Sequence, residues 1–238
     1  MRLQVALAQL GFASRRAAAE IIKSGKVKVD GKIILEPGYR VSLEKNSIIV
    51  EGRKALCPKK VYLLLNKPKG AVSTVRDRYA RRTVLDLLGK IDTRVYPVGR
   101  LDKDTRGLLL LTNDGELTHR LLHPKFGIKK VYRVSVEGEI PRRKIEKLEK
   151  GIYLEGKKTF PCKISILNIV KKTTLLRVEL TEGRKRQIKK MFASMGHPVL
   201  DIERIAFGPL KLATLKPGKW RRLKMNEIAK LKSLSGVI

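Results

Sequence analysis

The stretch Val98-Gly99-Arg100-Leu101-Asp102-Lys103-Asp104-Thr105-Arg106-Gly107-Leu108-Leu109-Leu110-Leu111-Thr112-Asn113-Asp114-Gly115 organises the chain. Its first half is polar and charged, and an unbroken apolar run follows. Asn113-Asp114-Gly115 closes the run with side chains and a glycine that favour turns. A short apolar run between turn signals predicts a buried strand. The loop carrying Arg100 and Asp102 is therefore expected to be anchored to the core of a sheet. A carboxylate beside a guanidinium on a rigid support fits a reactive site. On this stretch alone a surface loop with a solvated ion pair stays open.

The chain has 238 residues, enough for one large domain or for a medium domain with a small one. With 42% hydrophobic residues it can bury a core. Its 54 Lys and Arg against 22 Asp and Glu leave a formal net charge of +32, which implies a polyanionic partner, nucleic acid first. No apolar stretch approaches the roughly 18 residues that span a bilayer. Met1-Arg2-Leu3-Gln4-Val5 is not expected to open a signal peptide. Cys57 and Cys162, far apart and each next to a proline, suit a reducing cytoplasm and form no metal motif.

Upstream of the opening stretch, residues 1–52 form a first unit. Leu3, Leu7 and Leu10 recur at helical spacing until Gly11. Ser14 is expected to cap a helix from Arg15 to Lys23 with Ala18, Ile21 and Ile22 on its core face. Lys26-Val27-Lys28-Val29 alternates, Asp30-Gly31 signals a hairpin, and Lys32-Ile33-Ile34-Leu35 returns. Val41 and Ile48-Ile49-Val50 supply further short strands. Arg15, Arg16, Lys23, Lys26, Lys28 and Lys32 are then set on a small frame suited to phosphate contacts. Arg2-Leu3 with Leu7 and Gly11, Ser14-Arg15-Arg16 with Ala17 and Ile21-Ile22, and Gly25-Lys26-Val27-Lys28-Val29-Asp30-Gly31 resemble the S4-like RNA-binding domain, the alpha-L motif.

Residues 53–60, within a polar stretch that holds Gly52 and Pro58, are expected to be a linker. A second domain, 61–238, opens with the buried strand Val61-Tyr62-Leu63-Leu64-Leu65. Ala71-Val72-Ser73-Thr74 is expected as a strand, Arg76 to Arg82 as a basic loop containing Tyr79, and Thr83 as the cap of a short helix through Leu88. Downstream of the opening stretch, helices are expected at Glu116 to Leu122, after Pro141, and from Gln187 to Met195, with a last one capped by Asn226. Strands are expected at Lys130 to Val136, Ile164 to Leu167, Leu175 to Leu180, Ile205 to Phe207 and Trp220 to Leu223. Strands outnumber helices and mostly follow one another without helical crossovers. That predicts an α+β fold with a mixed, mainly antiparallel sheet.

His119 and His123 are four residues apart and could share a metal, but no third ligand is evident and Pro124 ends the helix. Lys67-Pro68-Lys69-Gly70 is a turn and not a phosphate loop, and no nucleophile elbow occurs. Carboxylate chemistry near a basic surface remains. Gly99-Arg100-Leu101-Asp102 with Thr105 and the run to Gly115, Lys130-Val131-Tyr132-Arg133-Val134, Glu182-Gly183-Arg184-Lys185-Arg186-Gln187-Ile188-Lys189-Lys190-Met191, and Asn66-Lys67-Pro68-Lys69-Gly70 together resemble the pseudouridine synthases. The likeness is to the branch that modifies ribosomal RNA and carries an N-terminal S4-like domain. It spans essentially the whole chain. Arg106 departs from it, standing where many relatives have a small residue.

The resemblance implies a small S4-like domain followed by a mixed-sheet catalytic domain that isomerises uridine to pseudouridine in ribosomal RNA, preferably of the large subunit. Asp102 would be the catalytic carboxylate, ionised at working pH. Lys189 would hold Asp102 ionised and oriented, and Tyr132 would stack on the target base. Arg100 would lie where the uridine leaves its stack. Gln187, Arg184 and Arg186 would contact the RNA backbone, as would Arg15, Arg16, Lys26 and Lys28. No metal or organic cofactor is expected, no membrane partner, and a monomer. The partner is ribosomal RNA or a pre-ribosomal particle in the cytoplasm. Small-subunit RNA as substrate, a non-catalytic ribosome assembly factor and a DNA-binding regulator are the alternatives. Intact Asp102, Tyr132 and Lys189 weigh against the second, and the third leaves the second domain unexplained.

Overall fold

The computed structural model describes residues 1–77, 79 and 81–236. Two positions of the basic loop expected over Arg76 to Arg82, Arg78 and Ala80, lie outside the described residues. The chain forms two compact units, one of Met1–Val61, Ile91–Val95 and Asn113–Gly115, the other of the remainder.

In the first unit the apolar spacing builds α1 (Leu3–Gln9) and α2 (Arg15–Lys23). The Ser14 hydroxyl accepts the Ala17 N–H at 3.2 Å, satisfying one free donor at the start of α2. Leu3, Leu7, Ala18 and Ile22 are buried with Val27, Val29, Val41, Ile48 and Val50. β1 (Val27–Val29) turns through Asp30 and Gly31, both at positive φ (49° and 83°), into β2 (Lys32–Ile33). Two left-handed residues give the turn whose twist matches a tight hairpin. β3 (Ile48–Val50) and β4 (Arg53–Lys54) complete an antiparallel sheet ordered β2-β1-β3-β4. Two expectations change. Val41 is buried but lies outside any strand, next to an isolated bridge between Arg2 and Arg40. The stretch 53–60 starts as β4, because Glu51 and Gly52 (φ 49° and 79°) make a second tight turn. At its end the Asn113 side chain accepts the Val61 N–H and donates to the Lys59 carbonyl, both at 2.8 Å.

The second unit is built on a nine-stranded sheet. β5 (Tyr62–Lys67) and β7 (Arg106–Thr112) are adjacent and antiparallel, and β6 (Tyr96–Pro97) pairs with β7. Leu108 to Leu111 are fully buried on both faces, which is why they read as a run and not as an alternation. α3 (Gly115–Leu122) follows, then a short 3-10 turn (Pro124–Phe126). β8 (Lys130–Glu137), α4 (Arg142–Glu149), the hairpin of β9 (Tyr153–Leu154) and β10 (Lys157–Lys158), β11 (Lys163–Val170), β12 (Thr173–Leu180), α5 (Gln187–Ala193), β13 (Val199–Phe207), β14 (Leu210–Lys211), β15 (Trp220–Arg222) and α6 (Met225–Leu234) complete the unit. The sheet runs β11-β12-β8-β13-β7-β5-β15, with β14 beside β13. All pairs are antiparallel except β13 with β7, so the α+β fold with a mixed, mainly antiparallel sheet is present.

Four local expectations fail here. Ala71 to Thr74 forms no strand but a single bridge from Val72 to Thr83, because its polar groups are committed to the loop contacts described below. The helix expected after Thr83 is a single turn, closed by Asp86 accepting the Thr83 N–H at 2.7 Å and ended before Gly89 at φ 67°. Asn226 lies inside α6, whose first turn is closed by Glu227 accepting the Lys224 N–H at 2.9 Å. The helix expected to reach Met195 stops at Ala193. Among the described residues no helix is long and apolar enough to cross a membrane.

Candidate active site

The loop between β6 and β7 is held from below by a lysine. Lys67 ends β5 fully buried, with 0% of its surface exposed. Its Nζ donates to the carbonyls of Thr105 (2.7 Å), Asp102 (3.0 Å), Pro68 (3.1 Å) and Lys103 (3.3 Å). Three N–H groups serve four carbonyls, so one bond is shared. Burial pulls the Lys67 pKa down from 10.5 to about 8, and the charges of Asp104 and Asp102 oppose that fall. The Ser73 hydroxyl donates to the Leu101 carbonyl at 2.8 Å and accepts the Leu101 N–H at 3.1 Å. The Gly70 N–H reaches the Lys103 carbonyl at 2.8 Å. The backbone is thus fixed on both sides of Asp102, while the half-buried Asp102 carboxylate has no hydrogen bond or ion pair among the described residues.

An open cleft of about 1000 Å³ lies over this loop. Arg100, Asp102, Tyr132, Lys189, Arg186 and Lys185 line it, with Ser73, Tyr79, Leu122 and Ile202. Tyr132, on β8, is 9% exposed, and its register partners are Val178 and Arg204. Arg204 is buried behind it, donating Nε to the Leu108 carbonyl at 2.8 Å and lying 5.1 Å from the Phe207 ring centre. Lys130 is buried too, bonded to the carbonyls of Ile128 (2.9 Å) and Thr181 (3.0 Å). Its pKa falls to about 8 through burial and the nearby Arg204 charge, against the pull of Glu182. Gly107 sets the spacing of β7 and β13. At φ 107°, a Cβ on it would sit 2.3 Å from the Arg204 carbonyl oxygen.

The structure brings Asp102, Tyr132, Lys189, Arg100 and Arg186 to one cleft, but it re-pairs the lysine. The Lys189 ammonium bonds to Asp104, not Asp102, and this contact holds the Asp104 carboxyl below the usual carboxylate range. Two of the residues expected to contact RNA are engaged within the protein. Gln187 is buried, its amide donating to Glu182 at 2.6 Å and accepting the Arg184 N–H at 3.1 Å. Arg184 spends its guanidinium on Glu182 (2.9 Å) and on the carbonyls of Lys157 (2.8 Å) and Lys158. These bonds tie the two residues into the loop that precedes α5. Arg106 bridges Asp201 (2.7 Å) and Glu203, and Glu203 in turn holds Arg133. The large residue at this position is thus absorbed by acidic partners on β13. In the first unit Arg15, Arg16 and Lys28 are exposed, and Lys26 is exposed but paired with Glu51 at 2.8 Å. Among the described residues no group of three or more His, Cys, Asp or Glu side chains is placed to hold a metal.

The Lys67 and Ser73 clamps were not legible in sequence. Lys67 stands in the Asn66-Lys67-Pro68-Lys69-Gly70 motif that shares in the family resemblance, but a lysine at the end of an apolar strand before a proline is equally the signal of a solvated turn. Its carbonyl partners on the Asp102 loop lie 35 to 38 residues further on.

A buried strand delivering a clamped carboxylate loop to a basic, aromatic-lined cleft defines a class. The chain belongs to the RNA pseudouridylate synthase family, whose sequence model matches residues 61–194, and an S4 domain matches residues 1–46. It is an isomerase of the pseudouridine synthase type. Ribosomal large subunit pseudouridine synthase B of Bacillus subtilis (strain 168) is 44% identical to it over 236 residues, covering 98% of this chain and 96% of that one. An uncharacterized RNA pseudouridine synthase of Aquifex aeolicus (strain VF5) is 41% identical over 232 residues, covering 97% and 93%. A crystal structure of a pseudouridylate synthase superposes with a TM-score of 0.69 at 30% identity, covering 97% of this chain and 99% of that one.

Proposed function

We propose that the chain converts a uridine of large-subunit ribosomal RNA into pseudouridine, with Asp102 as the catalytic carboxylate. The observation that carries this is the Asp102 loop: its backbone is fixed by Lys67 and Ser73 while the carboxylate itself, among the described residues, is left uncommitted in the cleft. A reacting group held by its main chain and free at its functional atoms is already oriented for attack or proton transfer. The isomerisation breaks the bond from the sugar C1′ to uracil N1 and makes one from C1′ to C5, while the C5 proton is lost and N1 gains one. Atoms and electrons balance without redox partner or water. Tyr132 presents a ring to the uracil and Arg100, exposed at the cleft, meets the RNA where the base leaves its stack. Lys189 and Arg186 supply positive charge beside them. The name of the Bacillus subtilis relative supports the large-subunit substrate. Arg15, Arg16, Lys26 and Lys28 give the first unit its phosphate contacts.

The test is pseudouridine mapping in large- and small-subunit transcripts after incubation with the protein. Asp102→Asn is expected to bind RNA as wild type does and to lose activity by roughly 10³-fold or more. Asp104→Asn is expected to stay within about tenfold of wild type, since it removes only the partner of Lys189. Equal activity of wild type and Asp102→Asn would refute the assignment, and modification confined to the small-subunit transcript would move the substrate.

A further inference from the structure

The exposed face at the end of α3 is not used by anything above. His119 and Leu122 are three residues apart on α3, and His123, the residue that follows the helix and caps the 3-10 turn, stacks beside His119. Leu122 is 42% exposed, lines the cleft, and places its Cδ2 within 3.0 Å of where a Cβ on Gly99 would be, one residue from Arg100. The last turn of α3 is therefore continuous with the cleft wall. Next to Leu122 runs a row of rings. His119 and His123 have centroids 5.6 Å apart with planes at 46°, and His123 meets Phe126 edge-on at 6.2 Å and 77°. Phe126 packs on the core around Ile128. The His123 Nδ1 accepts the Lys125 N–H at 3.2 Å, which caps the 3-10 turn and fixes that ring. The row is braced from the core outward and ends in solvent at His119.

We propose that His119, Leu122 and His123 form a stacking subsite that holds an unpaired nucleobase of the substrate RNA next to the uridine in the cleft. The inference rests on the reading that the cleft over Asp102 receives that uridine. Flat, partly apolar groups offer a π-face and an alkyl edge, which suit a base and not a phosphate. Lys125 and Lys129 are exposed nearby for the backbone of such a strand, whereas Arg120 is committed to Glu116 and to the Gly236 carbonyl. A base splayed from its helix needs a surface to replace its lost neighbour, and a braced ring row supplies one without ordering cost at binding.

The test measures binding of a large-subunit ribosomal RNA transcript to the full chain in excess heparin, a polyanion without bases, alongside KM and kcat for pseudouridine formation. His119→Ala is expected to raise Kd and KM about tenfold, the loss of one stacked base, with kcat within about twofold. His119→Phe is expected to restore both, and Leu122→Ala to weaken binding in the same direction. Thermal unfolding of each variant checks the fold, and the Phe rescue separates stacking from a structural role. Unchanged Kd in both Ala variants overturns the subsite. Rescue by His119→Lys but not by His119→Phe overturns it in favour of a phosphate contact. Because Kd is read without turnover, failure of the Asp102 assignment would show separately, as activity in Asp102→Asn.

Discussion

At the scale of single residues, the unusual expenditure is in buried cations. Lys67, Lys130 and Arg204 all lie in the interior around the cleft, and each is bonded to main-chain carbonyls. Carbonyl bonds solvate an ammonium only in part, so burial still lowers the pKa of both lysines to about 8. The consequence for stability has a definite sign. A lysine whose pKa is lower in the folded than in the unfolded chain binds fewer protons when folded, between about pH 8 and its unfolded value near 10.5. Stability contributed by these two residues therefore rises with pH through that window, and the penalty is fully present below pH 8. Urea unfolding from pH 7 to 10 is expected to show this rise against the general trend, flattened in Lys130→Met. Equal slopes in wild type and variant would refute it. The resemblance to the pseudouridine synthases placed Asp102, Tyr132 and Lys189 together, because the motifs that carry it are local strings. It did not place Lys67 or the Lys189–Asp104 pair, because burial and pairing depend on side chains brought in from distant segments. It also did not show that Gln187 and Arg184, whose polar ends look available in a string of basic residues, bond to Glu182.

At the scale of elements, the junction of β7 and β13 is, among the strands of the described residues, the one parallel pair in an otherwise antiparallel sheet. Gly107 permits it, combining φ 107° with a backbone approach that leaves no room for a side chain. Gly107→Ala is expected to destabilise the fold by on the order of 3 kcal/mol, because the Arg204 main chain cannot retreat as a flexible side chain could. Chemical denaturation checks this, and a loss under 1 kcal/mol would show that β13 shifts freely. Elements with strong local signals were legible. The Ser14 cap, the Asp30-Gly31 turn and the apolar run of β7 each carry their own chemistry within a few residues. The β9–β10 hairpin was missed because its strands, two residues each, are too short for any period, and its turn pair Glu155-Gly156 is a weak signal. Ala71 to Thr74 was misread as a strand because Val72 and Thr74 favour one, whereas Ser73 between them serves the clamp on Leu101.

At the scale of the whole molecule, the charge surplus of +32 is spread over both units, with exposed Arg15, Arg16 and Lys28 in one and Arg100, Lys185 and Arg186 in the other. If the phosphate contacts proposed for each unit act on one RNA, their affinities multiply. Because β4 pairs with β3, the first unit runs past residue 52 through the stretch expected as a linker to Val61, and it also takes in Ile91–Val95 and Asn113–Gly115. A chain starting at Val61 is expected to unfold cooperatively, to bind ribosomal RNA at least tenfold more weakly, and to lose binding less steeply with salt. A truncated chain without a cooperative transition would refute its independence.

The knot of four carbonyls around Lys67 has a chemical consequence. An amine enclosed in this way cannot meet an acylating reagent until the strand or the loop opens. Brief treatment with acetic anhydride would modify exposed lysines such as Lys185 at once and leave Lys67 untouched. The slow appearance of acetyl groups on Lys67 then clocks how often the floor of the cleft comes apart.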